Sequence, residues 1–294
     1  MPDFAVCKII KAKIIEGKVK IKIILILPDV EVMDAFLRTE RLIGREAVEK
    51  LKRSKVAVFG LGGVGSYAAE ALARSGLGRL VLVDGDNVCF SNLNRQIHAT
   101  IKTLGRPKTD VMKERILDIN PEAQVTVHKK FFSGDIAGDF ITDDLDYIVD
   151  AIDAVQNKID LIAAAKEKGI RIISSMGAGN KLDPTKFRVG DIYATSNCPL
   201  AKVMRRELKK RGIDALKVVY SIEIPKREVF FAEEDCGGGE DGNSPHRFWD
   251  MHEGAMAAGR TAAGKEILGS VSFVPPVAGF IIAGEVVKEL AGLE

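Results

Sequence analysis

The stretch KVAVFGLGGVG, residues 55–65, decides how the chain reads. Val56 to Phe59 is wholly apolar, the composition of a short strand buried on both faces. It runs directly into Gly60-x-Gly62-Gly63-x-Gly65, and an alanine-rich helical stretch follows from Ser66 to Ser75, stopped by Gly76 and Gly78. Strand, glycine loop and helix in that order make a phosphate cradle. Glycines permit a tight turn and let a phosphate come close to the backbone. The helix start presents free N–H groups and the positive end of a dipole to the anion. The next buried strand, Leu80 to Val83, ends at Asp84, placed to accept hydrogen bonds from a ribose. These features mark a nucleotide site without saying whether the nucleotide is a dinucleotide or a triphosphate.

The flanking segments set the fold class. Upstream, Leu42, Ile43, Ala47, Val48 and Leu51 recur at helical spacing, which predicts a helix over Arg38 to Lys52. Downstream, a helix is predicted from Lys108 to Asp118, ended by Asn120-Pro121, then strands at Val125–Val127 and Tyr147–Val149, a helix over Ala154–Lys168 and a strand at Ile170–Ser174. Apolar strands alternating with helices predict an α/β fold: a Rossmann-like, doubly wound, mostly parallel sheet with helices on both faces, plus a C-terminal extension. The nucleotide-binding core spans 36–180. Residues 181–294 form a C-terminal part with a charged helix (Pro199 to Arg211), a strand (Lys217 to Ile222), a glycine-rich acidic loop (Glu233 to Arg247) and a docking helix (Val277 to Leu290). In residues 1–35, Lys18, Lys20 and Lys22 alternate with Val19, Ile21 and Ile23, a strand pattern compatible with a hairpin, an added edge strand or a loose extension.

Composition bounds the function classes. The 294 residues suit one large α/β domain, alone or with a small appendage. With 43 basic against 41 acidic residues, bulk charge neither demands nor excludes a nucleic-acid partner, so such a partner must be argued from local patterning. Cys7, Cys89, Cys198 and Cys236 contain no CxxC pair and the four histidines show no ligand spacing, so no zinc is expected and the thiols read as those of a reduced, cytoplasmic protein. The apolar run from Val271 to Gly284 is broken by Pro275-Pro276 and falls short of the ~20 residues of a membrane span, so no membrane partner is expected.

Further residues separate a triphosphate from a dinucleotide. After Asp84-Gly85-Asp86 come Ser91-Asn92-Leu93-Asn94-Arg95-Gln96 and then Gly105-Arg106-Pro107-Lys108. Arg95 and Lys108 near this edge of the sheet supply cations for a highly charged triphosphate. Asp153 follows the strand that ends at Asp150, at a carboxyl end where α/β sheets bind ligands, and could hold Mg2+ among phosphates. On the charged helix, Lys202, Arg205, Arg206 and Lys209 fall at i, i+3, i+4 and i+7, a basic face able to track nucleic-acid phosphates.

GLGGVG, LVDGD, SNLNRQ, GRPK and DAID together resemble the ubiquitin-activating-enzyme-like (ThiF/MoeB/HesA) adenylyltransferases over Arg38 to Gly177. NRQIHA (94–99), the segment 108–122 and GAGNKLDP (177–184) extend the likeness, to about Arg211, toward the branch of tRNA threonylcarbamoyladenosine dehydratases. The resemblance implies that the core is an adenylation domain. Gly60, Gly62, Gly63, Gly65, Asp84 and Asp86 would hold ATP, and Asn92, Arg95 and Lys108 would contact its phosphates. Asp153 would act in catalysis with magnesium. Arg41, with Arg38 as its neighbour, would reach the ATP of a partner subunit, which implies a homodimer. The implied reaction is ATP-dependent dehydration of threonylcarbamoyladenosine in tRNA through an acyl-adenylate. The alternative is activation of the C-terminus of a ubiquitin-like sulfur-carrier protein, with a sulfur-transfer protein as partner. Cys236 is more simply a loop thiol than a catalytic nucleophile.

Overall fold

The computed structural model describes residues 9–15, 18–23, 35–226 and 268–293. Cys236 and the acidic loop from Glu233 to Arg247 lie outside them. The lysine-alternating segment forms a hairpin: β1 (Ile9–Ile15) pairs antiparallel with β2 (Lys18–Ile23), Ile15 opposite Lys18.

The helix predicted over Arg38 to Lys52 is two helices, α1 (Leu37–Ile43) and α2 (Arg45–Arg53). Gly44 separates them at φ 85°, a left-handed conformation that no helix interior accommodates. Then come β3 (Lys55–Phe59), α3 (Gly65–Arg74), β4 (Arg79–Val83), α4 (Lys108–Ile119), β5 (Gln124–His128), β6 (Tyr147–Asp150), α5 (Val155–Glu167) and β7 (Arg171–Ser175). The chain continues through β8 (Phe187–Asp191), α6 (Pro199–Lys210), β9 (Lys217–Ser221) and α7 (Pro275–Ala291). α7 opens on Pro275-Pro276, two residues before the predicted start. Proline suits a first helical turn, where its missing N–H has no partner to lose.

Seven strands form one sheet in the order β5-β4-β3-β6-β7-β9-β8, parallel except for β8, which runs antiparallel to β9. β8 was not predicted. Its sequence, FRVGD, carries an arginine and a glycine and leaves Val189 exposed, the composition of an edge strand rather than a buried one. β8, β9 and α7 come from the part set apart at residue 181, yet they add to the same sheet and its covering layer.

Alternation along the central strands sorts the two faces. Val56, Val58, Leu80 and Leu82 face a core shared with Leu72 of α3, Ile116 of α4 and Ile282 and Val286 of α7. Ala57, Phe59, Val81 and Val83 face Ile159 and Ile162 of α5 and Met204 and Leu208 of α6. Burial on both faces explains the near-continuous apolar runs. The chain leaves β3 toward β4 and β5, then returns to place β6 on the other side of β3. A crevice therefore opens at the carboxyl ends of β3 and β6, the switch point where such sheets bind ligands. Among the described residues, no helix is long and apolar enough to cross a membrane.

Candidate nucleotide-binding active site

The glycine loop is shaped by contacts that only glycine permits. Gly60 has φ 85°, and a Cβ there would lie 2.6 Å from the carbonyl oxygen of Ala151. A Cβ on Gly65 would lie 1.8 Å from the Gly60 carbonyl oxygen. Loop and β6 thus meet backbone to backbone. Among the described residues, nothing stands within 4 Å of the Cβ position at Gly62, so they leave that part of the loop open to a ligand. Over Gly63 lies the stem of Arg95, whose Cγ would be 3.4 Å from a Cβ there. The Arg95 guanidinium donates to the Ser91 carbonyl at 2.7 Å and to Asn94 Oδ1 at 2.9 Å, which fixes its direction. Half-burial lowers its pKa.

Asp84 is buried and already engaged. Its Oδ2 accepts from the Leu61 N–H at 2.6 Å and its Oδ1 from the Asp86 N–H at 2.8 Å. Burial raises its pKa, and the Lys108 charge and the two N–H groups pull it back. Asp84 therefore ties the glycine loop to β4, and each oxygen keeps a second lone pair for a hydroxyl donor. Asp86 is half exposed and accepts from Lys108 Nζ at 2.8 Å, while Lys108 itself is buried. Asn92 is buried, and its Oδ1 accepts from the Cys89 N–H at 3.1 Å, closing the turn that carries Arg95.

Asp153 is exposed in the loop after β6 and makes no hydrogen bond or ion pair with the described residues. No group of three or more His, Cys, Asp or Glu able to hold a metal occurs among the described residues. A lone carboxylate suits magnesium, which keeps several waters and binds through one or two carboxylates plus phosphate oxygens.

Other predicted site residues sit on α1 and α6. Arg38 and Arg41 are exposed on α1, beside Leu42, itself 86% exposed. On α6, Lys202, Arg206 and Lys209 are exposed and Arg206 pairs with Glu207, whereas Arg205 turns inward and donates to the Thr195 carbonyl at 3.0 Å. A cavity of about 510 Å³ among Phe36, Arg53, Arg79, Asn120 and Glu122 lies at the amino ends of the strands, the edge opposite the glycine loop.

Two features escaped sequence reasoning. Asp150 and Lys158 form a fully buried ion pair at 2.7 Å, with Ser174 Oγ donating to the same carboxylate oxygen at 2.7 Å and the Ile152 N–H to the other at 3.1 Å. The signal was present: a charge closes the apolar strand YIVD, and a lysine sits in the apolar arc beside Ile159, Leu161 and Ile162. The second is His98, 2% exposed, with neither ring nitrogen hydrogen-bonded by the described residues. Burial, then the charges of Lys108 and Arg115, lower its pKa to about 4. Between pH 4 and 6.5 the unfolded chain takes up a proton that the folded chain refuses. Stability is thus fully present above pH 6.5 and falls by about 1.4 kcal/mol per unit as pH drops toward 4. Urea unfolding should show His98→Leu losing less stability than the native chain between pH 7 and pH 5, by about 2 kcal/mol. Equal losses would mean that His98 is protonated in the folded protein.

A doubly wound sheet with a glycine loop at its switch point, paired carboxylates after the next strand and an arginine laid over the loop defines a nucleotide-binding α/β protein of Rossmann type. The chain belongs to the ThiF family, whose model matches residues 36–294. It is 45% identical to the tRNA threonylcarbamoyladenosine dehydratase of Bacillus subtilis (strain 168) over 256 residues, covering 87% of this chain and 94% of that one. Identity to the protein of the same name from Escherichia coli (strain K12) is 44% over 201 residues, covering 65% and 75%. The crystal structure of the E. coli tRNA N6-threonylcarbamoyladenosine dehydratase in complex with ATP superposes with a TM-score of 0.72 at 31% identity, covering 91% of this chain and 98% of that one.

Proposed function

We propose that this chain is an ATP-dependent dehydratase that cyclises threonylcarbamoyladenosine in tRNA. The observation that carries the reading is the convergence of the open glycine loop, Arg95, the Asp84–Asp86 pair and Asp153 on one edge of the sheet, in a chain that matches the B. subtilis dehydratase along almost its whole length.

In the first step the substrate carboxylate attacks the α-phosphorus of ATP, forming an acyl-adenylate and expelling pyrophosphate. In the second, a nucleophile within the same nucleotide attacks the acyl carbon, closes the ring and releases AMP. No protein nucleophile is needed, because the activated acyl group and its attacker belong to one molecule. The protein contributes position and charge. Gly60, Gly62, Gly63 and Gly65 seat phosphates at the start of α3. Asp84 and Asp86 accept from the ribose hydroxyls. Arg95 and Lys108 neutralise charge on the leaving pyrophosphate, while Asn92 holds the turn that aims Arg95. Asp153 fits Mg2+, which would shield the phosphate charges and polarise the reacting phosphate when bound. In a homodimer, exposed Arg41 reaches the partner's ATP. Lys202, Arg206 and Lys209 contact tRNA phosphates, and Arg205 keeps the helix seated against Thr195. The enzyme works in the cytoplasm.

The test is pyrophosphate release from ATP and magnesium with threonylcarbamoylated tRNA against unmodified transcript. Release that requires the modification, with the tRNA losing one water by mass, is expected. Release indifferent to modified tRNA but stimulated by a glycine-ended carrier protein would replace the dehydratase reading with carrier activation.

A further inference from the structure

Asn180 stands in the loop after β7 with φ 56°, a left-handed backbone that asparagine tolerates better than most residues and that glycine adopts at no steric cost. Gly177 and Gly179 precede it in the same loop. An asparagine among these glycines has a use for its side chain. Its Oδ1 accepts from the Gly269 N–H at 2.6 Å, and its backbone N–H donates to the Gly269 carbonyl at 2.8 Å. Asn180 thus holds Gly269 through both of that residue's backbone groups. Beside this anchor, Leu268 covers Gly179, where a Cβ would lie 3.1 Å from the Leu268 Cβ.

Residues 268–275 run from this anchor to the start of α7 and meet the nucleotide site on the way. The Ser270 carbonyl accepts from Asn94 Nδ2 at 3.0 Å, and Asn94 Oδ1 accepts from the Arg95 guanidinium at 2.9 Å. At the far end, Pro275 reaches the glycine loop: a Cβ on Gly63 would lie 3.0 Å from the Pro275 Cβ and 3.4 Å from the Arg95 Cγ. The path from Asn180 to Arg95 is therefore continuous. Asn180 fixes Gly269, the next residue, Ser270, fixes the Asn94 amide, and the amide fixes the guanidinium. An amide held at Nδ2 has its Oδ1 aimed as well, because the two atoms turn together about one bond. In the sheet, β6 separates β3 from β7. The segment therefore carries a fixed point from the loop after β7 to the arginine over the glycine loop after β3.

We propose that Asn180 is a positioning residue for Arg95, acting through residues 268–275 and the Asn94 amide. The inference rests on the reading of Arg95 as a phosphate contact of the adenylating site. Without the Asn180 side chain, Gly269 and Ser270 shift, the Asn94 amide is free to turn, and Arg95 keeps the Ser91 carbonyl as its fixed partner. The guanidinium then spends less time aimed at phosphate, and a preorganised donor loses its effect when it is misplaced by about 1 Å.

The experiment measures inorganic tripolyphosphate affinity calorimetrically, without tRNA, in the full-length chain. Asn180→Gly accepts the left-handed backbone and removes only the side chain. It should weaken tripolyphosphate by about 3-fold to 10-fold, part of what one charge-assisted hydrogen bond supplies. Asn180→Asp keeps an acceptor for the Gly269 N–H and should stay within about 2-fold of the native protein. In an Arg95→Ala background, Asn180→Gly should have no further effect, because the residue it positions is gone. Unchanged affinity in Asn180→Gly would overturn the proposal. So would an equal loss in Asn180→Asp, since the acceptor oxygen would then not matter. A loss of the same size with and without Arg95 would also overturn it and leave Asn180 a structural residue of the loop. Failure of the dehydratase reading shows separately, as absence of tRNA-dependent pyrophosphate release by the native protein, and leaves the tripolyphosphate comparison standing.

Discussion

Lys158→Met is expected to lower folding stability by about 3–5 kcal/mol, read as a drop in the urea unfolding midpoint, the range for breaking one side of a buried ion pair. The magnitude follows from what remains. Asp150 and Lys158 are both inaccessible to solvent, so deleting the ammonium strands a carboxylate in the core with Ser174 Oγ and the Ile152 N–H as its remaining partners. Changing both residues, as Asp150→Leu with Lys158→Met, should recover more than half of the loss, because no charge is then left to desolvate. The pair also reaches the active site. Through the Ile152 N–H it holds the loop that brings the Ala151 carbonyl against Gly60 and carries Asp153. Activity of Lys158→Met should therefore fall even at temperatures where it stays folded. A loss below about 1 kcal/mol would mean that solvent reaches Asp150 once the lysine is gone.

Arg95→Ala is expected to cut kcat for pyrophosphate release by about 10²-fold to 10³-fold with little change in folding stability, the effect of removing one preorganised charge donor. Arg95 is aimed before any ligand arrives: its stem covers Gly63, and Ser91 and Asn94 hold the guanidinium. Arg95→Lys should recover only part of the rate, because an ammonium cannot keep both of those bonds and offer a planar fork to phosphate. A fall of less than 3-fold in Arg95→Ala would remove Arg95 from the chemistry.

Both predictions bear on how much of the protein was legible in its sequence. Arg95 stands out as a candidate because it belongs to a local run, SNLNRQ, placed between a strand and the next loop. The Asp150–Lys158 pair was missed because its meaning depends on burial: a lysine eight residues after an aspartate reads as two surface charges until β6 and α5 are packed together. β8 was missed for the converse reason. An exposed edge strand needs no apolar pattern, so it leaves little periodic signal. The division of Arg38 to Lys52 into two helices turned on Gly44 alone, a residue that also occurs inside helices.

The sequence by itself determined the α/β class, the parallel sheet, the glycine loop and the identity of the residues after β3, β4 and β6. Each of these is written in short-range periodicity or in motifs whose chemistry is local. Tertiary structure alone decided which side chains share a space. It turned Arg205 inward to Thr195, engaged Asp84 with the glycine loop, buried His98 with no hydrogen-bond partner among the described residues and stood Phe131 on Gly85. The reason is physical: hydrogen-bond partners, desolvation and close contact depend on distances between residues far apart in the chain, and those distances exist only once the layers have packed.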